Sequence, residues 1–228
     1  MNILFLTVSR IDDINNRGIY TDLLRHFIKE GHRIFIVSPS ERRFGKKTYL
    51  MEDENYSLLK VKTLNIQKTN FIEKGIGTIL LEYQFEKAIN RYFKQIRFDL
   101  ILYSTPPITL TRIIEKIKTR DRAKTYLLLK DIFPQNAVDI GMMSPKGVLY
   151  RLFRKKEQKL YQLSDYIGCM SPANVQFLLE HNPEINSEHI EVCPNSVELA
   201  TNHAVVDKDK IRKKFDIPVD SVVFIYGG

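Results

Sequence analysis

Two cysteines in 228 residues are too few for a disulfide scaffold, and Cys169 and Cys193 form no CxxC pair. Both sit in apolar, strand-like runs, which reads as buried free thiols in a reducing compartment. No segment reaches the roughly 18 consecutive apolar residues that a membrane span requires. The opening Met1-Asn2-Ile3-Leu4-Phe5-Leu6 lacks the basic start and long apolar stretch of a secretory leader, so a cytoplasmic location is expected. Signature motifs are also missing. Val8-Ser9-Arg10-Ile11-Asp12-Asp13 contains no GxGxxG and no P-loop pattern occurs, which disfavours a dinucleotide-binding dehydrogenase and a Walker-type nucleotidase. Histidines 26, 32, 181, 189 and 203 show no HExxH or other ligand spacing, so no metal site is expected, and a hydrolase nucleophile elbow has little support.

What is present is a globular composition. Hydrophobic residues make up 43% and aromatics 11%, with only ten glycines and nine prolines, which excludes extended disorder and collagen and allows a sizeable core. The 35 Lys+Arg exceed the 27 Asp+Glu by eight, favouring anionic partners without choosing among them.

Short apolar runs at Ile3–Val8, Ile34–Val37, Leu59–Leu64, Leu100–Tyr103, Tyr126–Leu129, Tyr166–Met170, Ile190–Cys193 and Val222–Tyr226 read as strands. Between them Tyr20–Lys29, Ile79–Phe93, Ile108–Ile117, Val148–Leu163, Ala173–Leu179 and Asp209–Phe215 read as helices. This alternation predicts an α/β fold, a doubly wound and mainly parallel sheet with helices on both faces. Arg42-Arg43-Phe44-Gly45-Lys46-Lys47 reads as a basic loop, and Asn195–Lys210 as a linker. The apolar run Val222–Tyr226 followed by Gly227-Gly228 reads as the opening strand of a second domain whose remainder is missing; an edge strand of the first domain is the alternative.

Ligands of open α/β sheets lie beyond the carboxyl ends of the strands. There the sequence places Thr7–Gly18, Ser104-Thr105-Pro106-Pro107, Lys130–Asn136, Ser171–Asn174 and Pro194-Asn195-Ser196, a set of hydroxyls and amides with one carboxylate directly at a strand end, Asp131. Asp131 can orient or deprotonate an attacking hydroxyl, or it can cap the following turn. Lys130, aimed away from Asp131 by strand alternation, reads as solvated or structural. Arg17 and Gly18 precede a helix, an end that favours anions. In Lys146–Gln162 six bases (Lys146, Arg151, Arg154, Lys155, Lys156, Lys159) accompany one acid, Glu157, beside an apolar face of Leu149, Leu152, Phe153, Leu160 and Leu163. That pattern suits an interfacial helix on anionic lipid as well as a helix packed on the sheet. No motif for nucleic acid accompanies the bases.

The strand order, Ser-Thr-Pro-Pro at 104–107, the Leu127–Met142 segment with its Asp131–Ala137 turn, Ser171-Pro172 and Pro194-Asn195-Ser196-Val197 together resemble the N-terminal half of family 4 glycosyltransferases of the GT-B fold, in the exopolysaccharide, capsule and O-antigen branch. Phe133 stands where that family usually has tryptophan, Gln135-Asn136 where it has Glu-Ser, Ser196 where it has glycine, and Gly18 is single where many relatives have a glycine pair.

The resemblance implies residues 1–200 as an acceptor-side Rossmann-like domain, with residues 201–228 as linker and first strand of a truncated donor-binding domain. It implies retaining transfer of a sugar from a nucleotide-sugar donor to a saccharide acceptor, lipid-diphosphate-linked, without cofactor or obligatory metal, at the inner membrane face. Such a fragment is expected to be inactive alone. Asp131 is the implied catalytic residue; Arg17, Gly18, Ser104, Thr105, Asn136, Ser171 and Asn195 are the implied substrate contacts. A GT-B nucleotide-sugar epimerase and a non-catalytic carbohydrate- or lipid-binding module are the alternatives.

Overall fold

The computed structural model describes residues 1–69, 71–199 and 207–224. The chain divides into two units, Met1–Val197 and Glu198–Gly228. The first is built in the order β1 (Asn2–Leu6), α1 (Ile19–Lys29), β2 (Arg33–Glu41), β3 (Tyr49–Glu52), β4 (Tyr56–Thr63), α2 (Phe71–Tyr92), β5 (Leu100–Ser104), α3 (Thr111–Asp121), β6 (Lys124–Leu129), α4 (Gln135–Asp139), α5 (Val148–Leu163), β7 (Tyr166–Cys169), α6 (Pro172–His181) and β8 (Ile190–Val192).

These strands form one eight-stranded sheet in the order β3-β4-β2-β1-β5-β6-β7-β8, parallel throughout except for β3 against β4. From β1 the chain winds outward to β2 and β4; from β5 it winds the other way to β6, β7 and β8. The reversal falls between β1 and β5, where a crevice opens beyond the carboxyl ends of adjacent strands.

The central strands are covered on both faces, which is why they read as continuous apolar runs: Ile3, Leu4, Phe5 and Leu6 are all fully buried. One face carries α2, α3, α5 and α6, with Phe35, Phe93 and Phe98 packed edge-on at ring separations of 5.3, 5.4 and 6.2 Å. Edge-on rings bring the positive rim of one to the negative face of another, worth about 0.5–1.5 kcal/mol per pair beyond area burial. The other face is packed by α1 and by Ile11 and Ile14 of the loop after β1. Both thiols are free; Cys169 is buried in the first core, while half-buried Cys193 packs against the second. Burial and the neighbouring Cys193 push the Cys169 thiol up to about 11.

Two expectations change. The anticipated strand at Val222–Tyr226 is not formed by its described part, since Val222–Phe224 is irregular, with Phe224 93% exposed; residues 225–228 lie outside the described residues. A strand requires a partner to bond its backbone, and none among the described residues pairs with this segment. In the second unit α7 (Lys208–Lys214) is capped by Asp207, whose carboxylate accepts the amides of Asp209 and Lys210 at 3.2 Å.

The other change concerns α5. Its expected apolar face is split: Leu160 is buried and Phe153 packs edge-on against Phe133 at 5.1 Å, but Leu149 and Leu152 remain 62% and 55% exposed beside Val148. Some of its bases are also engaged by neighbouring groups. Arg154 donates to Glu157 at 2.5 Å, to the His181 carbonyl at 2.7 Å and to Asn182 Oδ1 at 2.6 Å, while Lys159 pairs with Glu115 at 2.7 Å. The buried Glu157 explains this: a carboxylate withdrawn from water needs a donor, and Arg154 and Tyr161 supply it.

Candidate functional site

β5 and β6 end side by side, in register with Ser104 opposite Leu128. Thr105, buried just past β5, accepts the backbone amides of Lys130 and Asp131 on its Oγ1, at 3.1 and 3.2 Å. Beyond Asp131 the turn closes on itself: the amide of Asn136 bonds to the Ile132 carbonyl at 2.9 Å, and those of Ala137 and Val138 to the Pro134 carbonyl. Pro134 is buried and Phe133 is held by Phe153. The Asp131 backbone is therefore pinned on both sides, yet its side chain is exposed and its carboxylate accepts no hydrogen bond among the described residues. The capping role open to Asp131 in the sequence is filled by backbone carbonyls instead.

Across the crevice stands Tyr20, in the first turn of α1. Its ring packs 5.2 Å from Phe5 of β1, and its hydroxyl reaches the side chain of buried Ser104. Burial pushes the pKa of the phenol up, and the nearby Asp131 charge pushes it up further, so Tyr20 stays a neutral donor. The topology thus gathers Tyr20, Ser104, Thr105 and Asp131 at the switch point. In the sequence Tyr20 passes for one apolar position of an amphipathic helix; its signal is its place in the first turn after Gly18.

The other expected contacts have different settings. Gly18 caps α1, but its amide donates to Asp22 Oδ1 at 3.1 Å, and Asp22 is paired with Arg25 at 2.5 Å. Arg25 also holds the Ile14 and Asn16 carbonyls, so this helix end already has its anion. Arg17 is exposed beside it. Asn136 is exposed in α4. Ser171 caps α6, accepting the Asn174 amide at 3.2 Å. Asn195 is exposed beyond β8, two strands from β6, a separation of about 10 Å. Ser171 and Asn195 thus share the sheet edge with Asp131 without joining the Tyr20–Ser104–Thr105 group. Lys130 is half-buried, and burial pushes its ammonium down.

The loop after β1 is held by a residue that the strand pattern conceals. Lys60, on β4 between Leu59 and Val61, is 1% exposed and donates to the Ile11 carbonyl at 2.6 Å and to Ser38 Oγ at 3.2 Å, with Asp12 at 3.0 Å. Ser38 in turn accepts the Ile11 amide and donates to the Ser9 carbonyl. Burial pushes Lys60 down despite Asp12. A lysine in the run Leu58-Leu59-Lys60-Val61 was the available signal. Among the described residues no cluster of three or more His, Cys, Asp or Glu could hold a metal ion, and no helix is long and apolar enough to cross a membrane.

An eight-stranded, mostly parallel sheet wound outward from one switch point is the Rossmann-like architecture of one half of the GT-B fold. The particular similarities are these. No family model matches the sequence. Over 98 residues, 43% of this chain and 24% of the relative, it is 26% identical to the probable glycosyltransferase WbjE of Pseudomonas aeruginosa. It superposes on the E. coli trehalose-6-phosphate structure bound with UDP-2-fluoro glucose at TM-score 0.59 and 10% identity, covering 86% of this chain and 49% of that one. On Anabaena Alr3699/HepE in complex with UDP and glucose the values are 0.54 and 13%, with coverage of 95% and 50%. The match thus spans about a quarter of the curated relative's length and about half of each solved chain, and the structural likeness is one of fold.

Proposed function

We propose that this chain supplies the acceptor side of a glycosyltransferase that moves a sugar, with retention of configuration, from a nucleotide-sugar donor to a saccharide acceptor. The observation that carries the reading is Asp131, a carboxylate fixed by its backbone at the switch point and left unused by the fold. An acceptor hydroxyl seated there hydrogen-bonds to Asp131 while its oxygen forms the bond to the anomeric carbon and the bond to the donor diphosphate breaks. Asp131 orients that hydroxyl or takes its proton, and Tyr20 offers its hydroxyl to the sugar beside it. A relative named as a probable glycosyltransferase, and neighbours of this fold solved with UDP-2-fluoro glucose or with UDP and glucose, support a nucleotide sugar as donor.

Within this reading residues 1–200 bind the acceptor and residues from 201 onward belong to the donor side. The acceptor is a lipid-diphosphate-linked saccharide of a bacterial surface polysaccharide, met at the inner membrane face. Exposed Ile140, Met142, Val148, Leu149 and Leu152, with Lys146, Arg151, Lys155 and Lys156 close by in the chain, support contact with anionic lipid.

The test is Asp131→Asn in the protein expressed from its whole reading frame. Sugar transfer should fall by about 10²-fold or more, with donor binding and the thermal midpoint kept. Retained transfer would end the assignment.

A further inference from the structure

A second feature of the same sheet edge has no part in the chemistry at Asp131. Three cations stand around the loop after β1: Arg10 in the loop itself, Lys60 beneath it, and Lys46 from the basic turn after β2, whose ammonium lies 5.8 Å from the centre of the ring of Tyr49, the residue paired with Lys60 across β3 and β4. Two of them, Arg10 and Lys60, share one carboxylate. Asp12 pairs with Arg10 at 2.5 Å and with Lys60 at 3.0 Å, and although partial burial opposes it, these two cations hold its carboxyl below the usual range. Lys46 makes no salt bridge among the described residues. Arg10 and Lys46 both lie within electrostatic reach of the Lys60 ammonium, and each adds to the burial that pushes it down. Like charges held together with too little counter-charge are a cost to the fold that an anion would relieve.

The cluster is built, not a chance crowding of mobile side chains. The Arg10 guanidinium lies 4.0 Å from the centre of the Phe44 ring, and that of Arg43 lies 5.0 Å from it. Arg43 is itself tied to Glu41 at 3.0 Å and to the Gln67 carbonyl at 3.0 Å, so it serves as scaffold. Gly45, at φ +68, takes the left-handed turn that carries the chain on to Lys46. Lys60 is fully enclosed. Arg10 and Lys46 remain exposed, Arg10 with half its side chain in solvent.

We infer that Arg10 and Lys46, backed by Lys60, form a binding site for a phosphoryl group, and that this group is the diphosphate of the acceptor. The site stands on its own geometry; its assignment to the acceptor rests on the transferase reading above. An acceptor held by its diphosphate at this rim and by its sugar hydroxyl at Asp131 would be fixed at two points, which sets orientation as well as affinity.

The test is titration of the 228-residue chain with inorganic pyrophosphate, followed calorimetrically at low salt. Pyrophosphate should bind, more weakly as salt rises. Arg10→Gln combined with Lys46→Gln should weaken it by about tenfold or more, a loss on the order of 1.4 kcal/mol. Lys87→Gln with Lys94→Gln, exposed in and just after α2, should leave it unchanged. Arg10→Lys, which keeps the charge, should retain most of the affinity and serves if the double variant unfolds. No binding by the wild type, or equal binding by the double variant, overturns the proposal. A parallel arm uses phosphatidylglycerol vesicles: if the double variant loses vesicle binding while pyrophosphate does not bind, the cations serve a lipid headgroup and the acceptor assignment is wrong. Because pyrophosphate binding needs no sugar donor, its outcome is separate from that of Asp131→Asn.

Discussion

The hydroxyl of Thr105, just past the end of β5, accepts the backbone amide of Asp131, just past the end of β6, at 3.2 Å. One side chain thereby locks two strand ends together and sets where a carboxylate stands beside the switch point. It also turns Thr105 from an expected substrate contact into a positioning group, since its oxygen is engaged inside the fold.

Thr105→Val should therefore leave two amides without their acceptor. An unsatisfied buried donor costs about 1–3 kcal/mol, so the thermal midpoint should fall and, in the whole protein, transfer with it. Thr105→Ser restores the oxygen and should restore both. A valine variant as stable and as active as the serine variant would show that the hydroxyl does not hold the two strand ends together.

Lys60 makes a parallel case on the other side of the crevice. Lys60→Met keeps much of the volume but releases the Ile11 carbonyl, Ser38 and Asp12. Stability should drop by about 1–3 kcal/mol, and amide exchange should quicken in residues 9–12, whose Ile11 amide is held by Ser38. Unchanged protection there would mean that the loop is held by its buried Ile11 and Ile14 alone.

Acid stability has a named contributor in Asp165. Partial burial alone would raise its carboxyl, but Lys118 at 3.0 Å and the Thr125 amide at 2.8 Å pull it below the usual carboxylate value. A folded value below the unfolded one means stability that is present above the unfolded value near 4 and lost as pH falls through the folded one. Asp165→Asn should lower the thermal midpoint at pH 7 and flatten its decline below about pH 4. A decline as steep as that of the wild type would assign the acid limb to other groups.

On α5 the proposed lipid contact uses the bases that the fold leaves outside. Gln at Arg151, Lys155 and Lys156 should weaken binding to anionic vesicles, and the wild-type attraction should fade with salt. Gln at Arg154 should act mainly on stability, because Arg154 answers the buried Glu157. Vesicle binding that survives the triple change would remove the helix from the membrane reading.

The elements that could be read along the chain are those whose pattern is local. β1, β5 and β6 each carry an apolar run of four residues, Ile3–Leu6, Leu100–Tyr103 and Tyr126–Leu129, and α5 keeps its helical spacing from Val148 to Leu163. β3 escaped because Tyr49–Glu52 is a half-exposed edge strand that exists only by pairing with β4. α2 was read from Ile79 but begins at Phe71, since Gly75 and Gly77 weaken the helical signal. Gly77 has its reason in space: a Cβ there would meet Ile66 Cγ2 at 2.9 Å and the Asn65 carbonyl at 3.1 Å.

The sequence by itself determined the alternating α/β class, the strand ends as the place for chemistry, and Asp131 as the carboxylate among them, because apolar runs and the residues that follow them are neighbours along the chain. Only the tertiary structure decided that Tyr20 joins Ser104 beside Asp131, that Asp22 occupies the Gly18 amide, and that Lys60 grips the loop 49 residues earlier. Tyr20 meets Ser104 because β1 and β5 pair across the switch point, and Lys60 reaches Ile11 because β4 lies beside β2. Strand order is settled by how both faces of the whole sheet are buried at once, a condition that no short window of residues contains.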